Sequence, residues 1–199
     1  MNIKAAIFDL DGTLTEPLLD FNQIRKEIGL NAASGDILSA IGAMEPAQRR
    51  QAYTILERHE QHAALHSRLN GGVTELLAEL RNRKLSIGLL TRNTRANTMF
   101  VARRHGLDFD AVFDRDDGPV KPDGYGVLKL CGQFGAVPAE TVVVGDFLYD
   151  LLSAKNAGAI AVLLKTHPQA EKFEKHADYV ISQIGELIYL IEKLEKEPE

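Results

Sequence analysis

The chain has 199 residues, 45% hydrophobic and 26% charged, enough for one domain with a sizeable core and a modest insertion. Its net charge of −5 and isoelectric point near 5.7 argue against a nucleic-acid or membrane-surface binder, but they admit a small anionic substrate, because a bound metal reverses the local potential. Cys131 is the single cysteine, so an internal disulfide and a Cys-rich zinc site are excluded and a reducing, cytoplasmic home is expected. The opening residues MNIKAAIFDL are too short and too soon charged for a signal peptide. No apolar run reaches the length of a membrane span.

The first apolar run, Ile3 to Phe8, ends in Asp9-Leu10-Asp11-Gly12-Thr13 and reads as a buried strand. Residues 16–70 carry no strand pattern. Asp20 suits the cap of a helix with Phe21, Ile24 and Ile28 on one face. A second helix is expected from Asp36 to Gly42, and Pro46 suits the first turn of a long third helix reaching about Leu69, with Asn70-Gly71-Gly72 ending it. Helices and strands then alternate: helix Val73 to Asn82, strand Leu85 to Thr91, helix Thr94 to Arg104 ended by Gly106, and strand Ala111 to Phe113. Helix Tyr125 to Phe134, strand Thr141 to Val144, helix Leu151 to Ala157, strand Ala159 to Leu164, strand Asp178 to Ile181 and helix Ile184 to Lys193 complete the pattern. Residues 192–199 form a charged tail with no assigned role.

This alternation predicts an α/β fold, a Rossmann-like parallel sheet with helices on both faces. Residues 1–15 and 71–199 would form the core, and residues 16–70 an all-helical cap inserted after the first strand. Such a cap is expected to fold over that strand's carboxyl end, choosing the substrate and excluding water.

Ligands bind beyond the carboxyl ends of the strands in open α/β sheets, and the chemically capable residues of this chain gather there. Asp9 is the candidate nucleophile, since a carboxylate can attack phosphorus and form an acyl phosphate. Asp11 is the candidate general acid toward the leaving alkoxide and then the general base for water. Thr91 and the following Arg92 and Asn93 are candidates to hold phosphoryl oxygens at the start of a helix, although Thr91 is equally a candidate helix N-cap. Lys121, before Pro122, offers a fixed positive charge to a transferred phosphoryl group. Asp146 and Asp150 join Asp9 and Asp11 in an oxygen-only ligand set suited to Mg²⁺, without which these carboxylates would repel one another.

Asp9-Leu10-Asp11-Gly12-Thr13-Leu14, Leu90-Thr91, Lys121-Pro122 and Gly145-Asp146 through Asp150 resemble, in that order, the four motifs of the haloacid dehalogenase superfamily. The helical insertion resembles the cap of its phosphoglycolate phosphatase-like branch. The resemblance implies a phosphorylated Asp9, acid and base work by Asp11 with its main-chain carbonyl on Mg²⁺, phosphoryl binding by Thr91 and Lys121, and Mg²⁺ ligation by Asp146 with Asp150 at or just behind the metal. The intact DxD implies hydrolysis of phosphate monoesters or phosphosugar mutation. The expected partner is a small phosphorylated metabolite, not nucleic acid or membrane, with monomer and homodimer both open. A non-catalytic module that binds phosphometabolites or a protein is the rival from another class. Three details depart from the commoner pattern: Arg92 precedes Asn93 after Thr91, Phe147 stands where serine is frequent, and Leu69-Asn70-Gly71-Gly72 lacks the usual proline.

In the third cap helix, His59 falls on the apolar face with Ala52, Leu56 and Ala63, and His62 and His66 flank it. Packing, hydrogen bonding or pocket contacts are expected of them ahead of metal binding. Arg25, Arg49, Arg50 and Arg58 read as a solvated basic set that would include any carboxylate clamp. Asp114, Asp116 and Asp117 read as a surface loop near enough in sequence to tune Lys121.

Overall fold

A computed structural model describes residues 2–31 and 34–196. Among the described residues, β1 (Ala5–Phe8), β2 (Ser86–Leu90), β3 (Ala111–Phe113), β4 (Thr141–Gly145), β5 (Ile160–Leu164) and β6 (Tyr179–Ile181) form one sheet in the order β3-β2-β1-β4-β5-β6. Every neighbouring pair is parallel. The chain builds outward from β1 in one direction, then returns to β1 through β4 and builds the other way. This reversal is the switch point at which open α/β sheets open a crevice.

Strands of such a sheet must be apolar on both faces, and Ala5, Ala6, Ile7 and Phe8 are all fully buried. Ile7, Val143, Ala161 and Leu163 pack with Val127 and Leu130 of α6 (Tyr125–Phe134) and with Leu151 and Ala154 of α7 (Leu148–Ala157). The alternate positions Ala6, Phe8, Val142 and Val144 are equally buried and point to the opposite face. α4 (Val73–Asn82), against β2, and α8 (Leu187–Lys196) pack on each other away from the first cluster. α5 (Arg95–His105) starts at Thr94, whose side chain accepts the Asn97 N–H, and ends at left-handed Gly106.

Residues 18–67 form a second compact unit, composed of α1 (Phe21–Ile28), α2 (Ile37–Gly42) and α3 (Pro46–His66) around Ile24, Ile37, Ile41, Ala52 and Leu56. Asp20 caps α1 through the N–H groups of Asn22 and Gln23. The flanking residues belong to the sheet unit, because Thr15 pairs with Leu69, Glu16 N–H donates to Arg68 O, and Asn70 N–H donates to Leu14 O. His59 bonds within its own unit, its Nε2 lying 3.1 Å from Glu27 Oε2. His66 Nδ1 lies 2.8 Å from His62 O. Among the described residues no helix is long and apolar enough to cross a membrane.

Three helices differ from expectation by about a turn at one end or both. α7 begins at Leu148 rather than Leu151, because Asp150, three residues past Phe147, accepts the Phe147 N–H and closes the first turn. α3 stops at His66 rather than near Leu69, because Ser67 turns extended, its hydroxyl donating to Ala64 O, before Leu69 joins the bridge to Thr15. The last helix opens as a 3₁₀ turn, Ile184–Glu186, and runs on to Lys196. The last three positions of the charged tail lie outside the described residues.

Candidate active site at the carboxyl ends of β1, β2 and β4

Because β1 lies between β2 and β4, the loops leaving these three strands adjoin. Phe8 pairs with both Leu89 and Val144, so the next residue, Asp9, stands level with the exits to Thr91 and Asp146. Gly12 has φ +94°, and a Cβ there would lie 2.5 Å from Asp146 Oδ2. Only glycine permits both that backbone and that approach. Thr13 then donates its hydroxyl to Asp146 Oδ1 at 3.2 Å. Two distant residues fasten the same loop. Asn70 Nδ2 donates to the carbonyls of Gly12, Thr13 and Thr15 at 3.2, 2.8 and 3.1 Å, and Thr166 Oγ1 donates to Gly12 O at 2.6 Å.

Lys121 is the hub of the site. Its ammonium carries three protons and directs them to Asp9 Oδ1 at 2.5 Å, Asp150 Oδ1 at 2.6 Å and Leu90 O at 2.9 Å. Gly145 makes room for this arrangement, since a Cβ there would lie 2.2 Å from the Asp150 side chain. The other oxygen of Asp150 accepts the Phe147 N–H at 3.0 Å. Both Asp150 oxygens are thus engaged in holding Lys121 and the start of α7.

Burial pushes the Asp9 carboxyl up to about 7, against the pull of Lys121 and with help from the charges of Asp150 and Asp11. Burial also raises Asp146 well above the usual carboxylate range, with Asp9 and Asp150 adding to it. Asp11 is raised by burial too, partly offset by its hydrogen bond from Asn93 and by Lys121. Burial alone would lower Lys121, but Asp150 and Asp9 outweigh it and keep the ammonium charged. Carboxylate oxygens of Asp9, Asp146 and Asp150 lie within 4.8 Å of one another. Several acids and one lysine, all pushed toward protonation, fit a hard divalent cation, which would relieve the repulsion and offers the preference for oxygen that these ligands satisfy. Asp146 has its Oδ2 against the Gly12 cradle, and Asp9 has the oxygen that Lys121 does not take.

Thr91 is buried, its N–H donating to Phe113 O and its hydroxyl accepting the Asn93 N–H at 3.1 Å. It therefore shapes the turn, while Thr94 is the cap of α5. The Arg92 guanidinium stacks over the Tyr149 ring, 4.9 Å from its centroid. Asn93 Nδ2 donates to Asp11 Oδ2 at 3.1 Å. The acidic loop does not reach Lys121. Asp114 is fully buried against Arg95, which also binds Asp117 at 2.5 Å. Asn70 and Thr166 were not expected at the site. The missing proline marked Asn70 as unusual, whereas nothing local marks Thr166.

The haloacid dehalogenase-like hydrolase family model matches residues 3–158. An uncharacterized hydrolase of Saccharomyces cerevisiae is 31% identical, over 98% of this chain and 94% of its own length. The N-acetylmuramic acid 6-phosphate phosphatase of Pseudomonas aeruginosa is 27% identical, over 97% of this chain and 96% of its own. The phosphoglycolate phosphatase of Chromobacterium violaceum is 28% identical, over 96% and 97%. The crystal structure of a hydrolase from Pseudomonas syringae shares the fold with a TM-score of 0.83 at 21% identity, covering 96% of this chain and 99% of that one. With the family model spanning most of the chain and the site built at the switch point of its sheet, this protein belongs to the haloacid dehalogenase-like hydrolases.

Proposed function

We propose that this chain is a Mg²⁺-dependent phosphatase that hydrolyses small-molecule phosphate monoesters through an aspartyl-phosphate on Asp9, with phosphoglycolate as the leading substrate. The observation that carries the reading is Lys121, which holds Asp9 in place while Asp11, two residues on, stands within the same loop. A binding module needs neither a nucleophile nor an acid beside it. Relatives of nearly equal identity are named phosphatases of phosphoglycolate and of N-acetylmuramic acid 6-phosphate and others pyrophosphatases, which supports phosphate hydrolysis, with a monoester as the reading we favour.

In the reaction, a carboxylate oxygen of Asp9 attacks phosphorus. As the P–O bond to the leaving group breaks, Asp11 passes its proton to the departing alkoxide. A water then attacks the aspartyl-phosphate, Asp11 takes the proton from that water, and phosphate leaves with the Asp9 carboxylate restored. Lys121 stays charged throughout and offsets the negative charge that gathers on the phosphoryl oxygens. Asp9, the Asp11 carbonyl and Asp146, with Asp150 behind, would hold Mg²⁺, which would supply charge neutralisation. We assign substrate choice to residues 18–67, since the residues above act only on the phosphate ester linkage common to all monoesters.

The test is phosphate release from phosphoglycolate, several sugar phosphates, nucleotides and an aryl phosphate, measured with Mg²⁺ and after treatment with EDTA. Release that EDTA stops and Mg²⁺ restores is expected. Full activity in metal-stripped protein would remove the metal role of Asp146. A sugar phosphate isomerised without free phosphate would replace the phosphatase with a mutase.

A further inference from the structure

Asn93 and Asn97 form a buried chain that ends on Asp11. Asn93 is 4% exposed and Asn97 8%. Asn93 Oδ1 accepts the Thr94 N–H at 2.8 Å and Asn97 Nδ2 at 3.1 Å. The Thr94 N–H can only donate, so it fixes which end of the Asn93 amide is oxygen and turns Nδ2 toward Asp11 Oδ2 at 3.1 Å. The Asn93 backbone is held equally firmly, its N–H on Thr91 Oγ1 and its carbonyl accepting the Arg115 N–H, each at 3.1 Å. A short buried side chain with every bond to a neighbour fixed has little freedom to move.

We propose that Asn93, seated by Asn97, is the positioning residue for the acid and base Asp11. The inference rests on the phosphatase reading above. The carbonyl oxygen of a carboxylic acid is its better acceptor, so a hydrogen bond donated to one oxygen favours the proton on the other. By donating to Oδ2, Asn93 both fixes the carboxyl plane and leaves the transferable proton on Oδ1. As the Asp9 oxygen bonds to phosphorus and the P–O bond to the leaving group breaks, that proton passes from Asp11 Oδ1 to the leaving oxygen. Without Asn93 the carboxyl group loses the hydrogen bond that holds its plane, and misplacement by a fraction of its own size costs an acid most of its effect.

An acid matters most when the leaving group departs poorly. The measurement is therefore kcat/KM, which reports the step that expels the leaving group, for phosphoglycolate and for 4-nitrophenyl phosphate, whose phenolate departs unaided. Asn93→Ala is expected to lose about 100-fold on phosphoglycolate, within the span that acid catalysis supplies, and only a few-fold on the aryl ester. Asn93→Asp keeps an acceptor for Thr94 and Asn97 but sets a second carboxyl against Asp11 Oδ2, which draws the shared proton away from Oδ1, and the same selectivity is expected. Asn97→Ala should show a smaller loss with the same selectivity, not additive with Asn93→Ala. Equal losses on both esters by Asn93→Ala and Asn93→Asp would overturn the proposal and make Asn93 a support of the loop or of the phosphoryl group. Where another member of the panel above is the better alkyl substrate it takes the place of phosphoglycolate, and wild-type protein that releases phosphate from no ester of the panel would instead overturn the phosphatase reading itself.

Discussion

Replacing Asp9 with asparagine is expected to cut turnover by about 10⁴-fold or more while leaving the protein folded, because the role proposed for Asp9 is that of a nucleophile acting as a unit with its acid and base, whose loss removes the whole covalent path. The amide fits the same space, and Lys121 keeps Asp150 as its partner. Stability gives a second, independent readout. Asp9 moves from an ordinary 3.8 to about 7 in the folded protein, so between those values the native state holds a proton that the unfolded chain has lost. Metal-free protein therefore loses stability as pH rises from about 4 to about 7. Asparagine cannot ionise, so the metal-free variant should show a shallower fall across that window and melt no lower than wild type at pH 8. Turnover and thermal melts under EDTA check both statements. Activity within tenfold of wild type would remove Asp9 as nucleophile, and a markedly lower melting temperature at pH 8 would show that its ionised form is not under strain.

Much of this architecture is legible in the residues because a parallel sheet demands it. Strands buried on both faces become short apolar runs, and the turns that leave them must be polar, so Asp9, Asp11 and Asp146 stand out at strand ends. α4, α6 and β3 have the bounds that periodicity and flanking glycines predict. What was not legible depends on contacts across the chain. Leu148 and Tyr149 look like a loop until Asp150 is seen closing the first turn of α7. Thr166 reaches Gly12 across 154 residues of sequence, and no local pattern encodes such a meeting. Arg92 and Asn93 are candidate phosphoryl ligands for their place beside Thr91, and what spacing does not give is the set of protein neighbours each of them also meets. Arg92 lies on Tyr149 and Asn93 on Asp11. Spacing shows which residues share a crevice, and the contacts show which of them also hold one another.

Lys121→Met should lower stability and activity together, and a second substitution should separate them. Lys121 is only 4% exposed and satisfies Asp9, Asp150 and the Leu90 carbonyl. Methionine fills the stem but leaves two buried carboxylates facing each other with no cation. Breaking a buried pair in this way costs about 3–5 kcal/mol, and loss of an electrostatic stabiliser of the transition state, the role proposed for Lys121, costs about 10²–10³ in kcat. Two conditions should restore stability without restoring turnover. Acid does so by protonating Asp9, since the strain exists only above its folded value. Adding Asp150→Asn to Lys121→Met does so by removing one of the stranded charges, and replacing both partners of a buried pair is often close to neutral. Chemical denaturation at pH 5 and pH 8, beside phosphate release, would measure each arm. If the double substitution is no more stable than Lys121→Met at pH 8, the loss comes from packing rather than stranded charge. If it regains turnover, Lys121 serves the fold and the phosphoryl charge is met by other groups.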